Sequence, residues 1–199
     1  MNNPTIQSLR NRRTQYALGK ALPLPQDEVD SLVREAVRQS PSSFNSQSSR
    51  AVILFGAEHE KLWGIVKDTL RAIVPPESFA GTEAKIDSFA AGAGTVLFFE
   101  DQAAIQKLQQ DFPLYADAFP RFAEQSGGMA QLAVWTALAD AGIGASLQHY
   151  SPLIDAAVTK AWDLPESWTL LAQMPFGSNE KPFGDKTFIA DADRFRTFG

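Results

Sequence analysis

Pro41-Ser42-Ser43-Phe44-Asn45-Ser46-Gln47-Ser48-Ser49-Arg50 joins a helical pattern to a strand pattern, and the chain reads outward from it in both directions. Before it, Asp27 to Gln39 carries Val29, Leu32, Val33, Ala36 and Val37 at helical spacing on one face. Pro25, Asp27 and Glu28 suit the first turn of that helix. Pro41 pushes Ser40 out of helical angles and stops it. After the stretch, Ala51-Val52-Ile53-Leu54-Phe55 is a short unbroken apolar run closed by Gly56, the pattern of a buried strand.

The stretch itself is dense in hydroxyls and amides, with Phe44 its one large apolar residue. Asn45 and Gln47 each offer two donors and an acceptor, and the serines add hydroxyls. Such groups can read the edge of a planar heterocycle or a phosphate. They also make an ordinary polar loop, because Ser and Asn are common turn residues. Residue chemistry leaves both readings open.

Further along, Glu58 to Val74 returns to helical period, stopped by Pro75-Pro76. A weaker helix is expected over Glu83 to Ala91. Gly92-Ala93-Gly94 then turns the chain into Thr95-Val96-Leu97-Phe98-Phe99, a second buried strand. Gln102 to Gln110 reads as helix, and aromatic Phe112 to Phe122 as short helical turns over a pocket or a partner subunit. Gly128 to Ala141 is apolar nearly all round, so it is expected at the domain centre or in a dimer interface. Gly142 and Gly144 end it. Ala145 to Tyr150 follows as strand or loop, then a helix to Trp162. Trp168 to Met174 is a third strand, ended by Pro175-Phe176-Gly177. The tail from Asn179 is rich in Phe and is expected to pack on something. Near the other end, residues 3–11 read as a short helix with Ile6 and Leu9 inward. Arg10, Arg12 and Arg13 then suit either a solvated face or a phosphate grip. Three strands separated by helices give an α+β or α/β-like three-layer domain over residues 1–199, its sheet covered on both faces.

The composition narrows function by exclusion. There is no cysteine, so thiolate nucleophiles, cysteine-ligated zinc and iron–sulfur clusters are absent. Two histidines, His59 and His149, lie far apart in sequence and argue against a multi-histidine metal site. The net charge is mildly negative and no long basic run occurs, so nucleic acid is not the expected partner. No apolar run approaches the roughly 20 residues of a membrane span. No signal-peptide core is seen, and a cytoplasmic location is the expectation. There is no G-x-G-x-x-G after a strand, no P-loop and no G-x-S-x-G elbow. A chain with so few nucleophiles most simply borrows its chemistry from an organic cofactor.

Four places together carry a family resemblance. They are Arg12-Arg13-Thr14; Pro41-Ser42-Ser43-x-Asn45-x-Gln47; Gly142-Ile143-Gly144-Ala145-Ser146-Leu147-Gln148-His149-Tyr150; and Pro175-Phe176-Gly177 with Lys186 beyond it. In that order they resemble the nitroreductase family of flavin-dependent oxidoreductases. Within it the chain is most similar to the short subfamily related to the fatty-acid-repression nitroreductases of fungi.

The resemblance implies a central mixed sheet flanked by helices, in a domain-swapped homodimer with FMN at the subunit interface. It implies that Arg12, Thr14 and Lys186 hold the FMN phosphate, with Arg13 on the phosphate or the pyrimidine edge. Ser42, Ser43, Asn45 and Gln47 would line the ring and ribityl chain, and Leu147, Gln148 and His149 the side running to N5. NADH or NADPH would be the electron donor, and a nitroaromatic or quinone the acceptor, in ping-pong turnover without a catalytic side chain. Tyr16 stands where many relatives carry a cation, and Phe188 replaces a second basic tail residue. Two rival implications are an FMN-holding regulatory module with little turnover, and a dehalogenase or flavin-fragmenting relative.

Overall fold

The computed structural model describes residues 2–199. Helix α1 (Pro4–Asn11) leads to strand β1 (Leu18–Gly19) and helix α2 (Gln26–Gln39). The polar loop follows, then β2 (Ser49–Phe55), α3 (Gly56–Arg71), α4 (Pro76–Ala90), β3 (Gly94–Asp101) and α5 (Gln102–Asp111). A 3-10 turn over Pro113–Ala118 feeds α6 (Phe119–Asp140). The chain closes with β4 (Gly144–Ala145), α7 (Asp155–Ala161), β5 (Trp168–Asn179) and α8 (Asp191–Arg194).

The sheet runs β1-β5-β3-β2, with β4 also paired to β5. All its ladders are antiparallel, and the one parallel pairing is a single bridge from Thr14 to Ala145. The central strand β3 is buried at every position but its last. Alternation sends its side chains to two separate cores. Leu97 and Phe99 pack with Leu62, Trp63, Val66, Ile86 and Phe89 under α3 and α4. Val96 and Phe98 pack with Val29, Val33, Val134, Leu138 and Met174 under α2 and α6. The expected covering of both faces is what the apolar runs produce.

Proline and glycine shift several expected boundaries. Pro76 does not merely stop α3; it occupies the first turn of α4, where no N–H is needed, so α4 starts before Glu83. Strand β5 runs through Pro175-Phe176-Gly177 to Asn179. The Pro175 carbonyl accepts the Ser146 N–H at 3.2 Å, so the missing amide falls on the short β4 side and spares the ladder to β3. Helix α6 begins at Phe119, with Pro120 in its first turn, and continues through Gly127 and Gly128. It ends as expected: Gly142 takes φ 78° and the Ile143 N–H reaches back to Leu138 O at 2.8 Å.

The burial expected of Ile6 differs, and α6 meets the domain core on one side only. Ile6 is exposed, since α1 lies on the outside of α6. Helix α6 is not enclosed by its own chain: Ala123, Ala130, Val134 and Leu138 are buried, whereas Met129 and Leu132 are open. Every residue from Glu180 to Gly199 is at least partly exposed, including Phe183, Phe188, Phe195 and Phe198. No helix is long and apolar enough to cross a membrane among the described residues.

Candidate functional site

The loop between α2 and β2 is held in an unusual backbone. Phe44 (φ 55°), Asn45 (φ 50°) and Gln47 (φ 48°) are all left-handed. Asn tolerates this; for a bulky residue it costs about 1–2 kcal/mol. Local bonds hold the shape. The Ser42 hydroxyl accepts the Gln47 N–H at 2.9 Å. The Ser126 hydroxyl of α6 accepts the Ser43 N–H at 3.2 Å. Arg50 donates to the Gln47 carbonyl and pairs with Asp101 at 2.8 Å. The Phe44 ring packs with Phe112, Tyr115 and Phe119, at centroid distances of 4.9, 6.1 and 5.2 Å. The side chains of Asn45 and Gln47 are left exposed. Ser42, Gln47, Ser49, Arg50 and Ser126 line a cavity of about 230 Å³.

A second group lies across α6. The half-buried Arg12 guanidinium sits 4.3 Å from the centroid of the Trp135 ring. Thr14 is fixed by its bridge to Ala145, and the Gln15 N–H donates to Ala145 O at 2.9 Å. Arg12, Thr14, Gln131, Trp135 and Leu147 share a cavity of about 380 Å³. Burial, and then the neighbouring Arg13, pull the Arg12 guanidinium below its usual value. Lys186 donates to the carbonyls of Leu9 and Arg10 at 3.4 and 3.3 Å. Burial, then Arg12 and Arg13, lower its ammonium too. No ion pair ties Arg12, Arg13 or Lys186 to a carboxylate among the described residues. A cluster of cations that depress one another, with no anion among them, suits a phosphate.

The remaining candidates scatter. Arg13 turns away from the Arg12 cavity, donates to Gly184 O and lies 5.7 Å from the Phe183 ring centroid. Gln148 is buried in its own chain: its amide donates to Ser146 Oγ at 3.0 Å and its backbone bridges Gln173. His149 is exposed. Tyr16 is exposed, its ring 6.2 Å from that of Phe89, and Phe188 is exposed in the tail. Tyr150 is no candidate base, because burial pushes its phenol up to about 12.

The two groups meet opposite faces of α6. Gly128, Gln131 and Trp135 face the Arg12 cavity, while Ser126 and Ala130 face the loop. Between them, Leu9, Ala36, Met129, Leu132 and Ala133 line an open apolar groove of about 670 Å³.

Two residues escaped the sequence reading. Trp135 lies within the apolar Gly128 to Ala141 run and forms the surface on which Arg12 lies. Glu100 is a buried carboxyl beneath the loop, 1% exposed. Its one sequence signal is an acid following Phe98-Phe99 inside a strand run.

Comparison with known proteins bears on the fold and the family. The family model described as Nitroreductase family matches residues 9–178. HBN1 of Saccharomyces cerevisiae is 41% identical over 186 residues, covering 92% of each chain. Nitroreductase CinD from Lactococcus lactis, solved in complex with chloramphenicol and with 4-nitrophenol, is 52% identical with a TM-score of 0.90, covering 98% of this chain and all of that one. A nitroreductase with bound FMN from Desulfitobacterium hafniense shares the fold at 16% identity, with a TM-score of 0.72 over the whole of both chains. With the family model spanning most of the chain and all the quoted motif residues but Lys186 inside that span, the chain belongs to the nitroreductase family.

Proposed function

We propose that the protein is an FMN-dependent NAD(P)H oxidoreductase, active as a homodimer in the cytosol on nitroaromatic or quinone acceptors. The observation that carries this reading is Arg12 beside the Thr14–Leu147 cavity with Lys186 near it, neither paired with a carboxylate among the described residues. Those groups fit the phosphate and ribityl end of FMN, Arg12 and Thr14 gripping from the cavity wall and Lys186 from the tail. Bound FMN would supply a two-electron carrier between the nicotinamide and the acceptor.

In this reading the chain binds and orients and does not itself react. Arg12, stiffened by the Trp135 ring, holds one orientation of its donor fork. Leu147 offers an apolar wall to the ring system. Asn45 and Gln47 keep their amides free because the loop's own bonds run through Ser42, Ser43 and backbone. Since the two groups stand on opposite faces of α6, we assign the loop of one protomer to the flavin of its partner. Gln148 then serves through its backbone and not its side chain. CinD's complexes with two nitro compounds favour the nitroaromatic class of acceptor.

The test is spectroscopic and kinetic. The purified protein is expected to be yellow, to bleach with NADH or NADPH, and to give parallel initial-rate lines. Colourless protein that takes up no added FMN would overturn the proposal. Flavin that binds but does not bleach would favour a holding module over an enzyme.

A further inference from the structure

We infer that Glu100 is a positioning residue, which fixes the flavin-facing loop through Ser49 and loosens it on ionising. The inference rests on the proposed ring contact of residues 42–47.

Glu100 stands one residue from the end of β3, paired with Ser49 on β2 and Thr169 on β5. Alternation turns its side chain to the α6 face, with Val96 and Phe98. There it meets Gly127. A Cβ at that position would lie 2.9 Å from Glu100 Oε1 and 3.2 Å from a Leu171 methyl, so the missing side chain makes the space for the carboxyl. Oε1 accepts the Ser49 hydroxyl at 2.6 Å. Oε2 is buried and has no partner among the described residues. An ionised carboxylate there would have only the Ser48 and Ser49 hydroxyls as donors, both bearing on it from one side, where burial demands partners on both oxygens.

The charged groups acting on it are Arg50 on β2 and Asp101 on β3, and they pair with each other at 2.8 Å. From α6 and β5 it meets Gly127, Leu171 and Thr169, none of them charged. Burial raises its proton affinity, against the lowering effects of the Ser48 and Ser49 hydroxyls and Arg50.

The same turn of α6 holds the other end of the loop. Ser126 Oγ donates to Phe122 O at 2.9 Å and accepts the Ser43 N–H at 3.2 Å. Two consecutive helix residues thus clamp both ends of the loop, Ser126 directly and Gly127 through Glu100. The left-handed Phe44 and Gln47 lie between these clamps. Ionising Glu100 draws water or a new donor toward Oε2, which displaces β2 from α6 and slackens the clamp.

The experiment is retention of FMN by the whole chain under ultrafiltration, in a pH series rising from the ordinary carboxylate range, since burial shifts the titration upward from there. Wild type is expected to lose about tenfold in FMN affinity toward alkaline pH, the size of one broken hydrogen bond to a charged or buried group. Glu100→Gln keeps the acceptor for Ser49 and cannot ionise, so its profile should be flat. Ser49→Ala removes a close donor to the ionised form and leaves Ser48, so the midpoint of its step should move to higher pH. A flat wild-type profile, a wild-type step in Glu100→Gln, or an unmoved midpoint in Ser49→Ala overturns the inference. If Glu100→Gln fails to fold, the Ser49→Ala midpoint decides alone. A protein that takes up no FMN at any pH defeats the proposed function instead. Thermal unfolding then decides the acid: wild type losing stability relative to Glu100→Gln with rising pH upholds the neutral carboxyl, and parallel curves overturn it.

Discussion

Arg12 and Asn45 carry different parts of the proposed binding energy, and substitution separates them. Arg12 would make charge-assisted bonds to a phosphate far from the reacting ring. Arg12→Ala is therefore expected to weaken FMN binding by about tenfold to a hundredfold, from roughly 1.5–3 kcal/mol, and to leave turnover unchanged once FMN saturates. Asn45 keeps a free amide on a strained loop, so Asn45→Ala should change turnover or flavin potential as well. Titration with excess FMN checks both; full rescue of both variants would remove Asn45 from the ring. His59 gives a prediction of another kind. It is buried, its Nε2–H donates to Ala90 O at 3.2 Å, and its Nδ1 accepts the Thr95 hydroxyl at 2.8 Å. The Thr95 oxygen in turn accepts the Trp63 indole N–H at 3.0 Å. Burial foremost lowers its pKa below 6.5. The unfolded chain then binds the proton more tightly, so stability is whole above about pH 6.5 and falls below it until the folded-state value is passed. His59→Gln should flatten that part of the unfolding-midpoint profile; a profile unchanged by the substitution would mean that His59 does not titrate in this range. At this scale the sequence supplied residue types well, but not which groups the chain spends on itself. Gln148 is used up on Ser146, and Ser42 on Gln47, by contacts that only the folded loop creates.

Among the elements, α6 shows where local signals stop being decisive. The apolar run marks the helix only from Gly128. Yet Pro120 falls in the first turn, where its missing N–H costs nothing, and Gly127 answers a contact from β3, which precedes α5 in the chain. Apolar period and strand runs were legible because they report burial directly; boundaries set by a distant carboxyl were not. The helix glycines make the point measurable. Gly127→Ala drives a methyl onto Glu100 Oε1 and should cost about 1–3 kcal/mol in urea unfolding. Gly64, exposed in α3 with nothing within 4 Å of its missing Cβ, should behave oppositely. Gly64→Ala is expected to add about 0.5–1 kcal/mol through helix propensity alone. Equal shifts in the two variants would mean that the Glu100 contact does not constrain α6.

For the whole molecule, the open features lie together in a way that suits a second copy. Met129 and Leu132 leave an apolar strip on α6, beside a groove of about 670 Å³ floored by α1 and α2. The strip runs between the Arg12 cavity and the serine-rich loop. The tail exposes Phe183, Phe188, Ile189, Phe195 and Phe198, more apolar surface than a chain end holds in water without a partner. A dimer that buries the strip would bring the loop of one protomer toward the cavity of the other, and would give the tail a surface to lie on. Flavin and dimer should then be lost together. Met129→Glu places a charge in the buried strip, where it would have no partner, and should shift the protein toward monomer. Sedimentation measured alongside flavin absorbance should show FMN leaving in step with the dimer. Truncation after Gly184 removes Lys186 and most of the aromatic tail, and should yield flavin-poor or poorly folded protein. A truncated or Met129→Glu monomer that keeps its FMN at micromolar concentration would mean that one chain completes the site. Arg12 and the 42–47 loop would then have to serve different ligands.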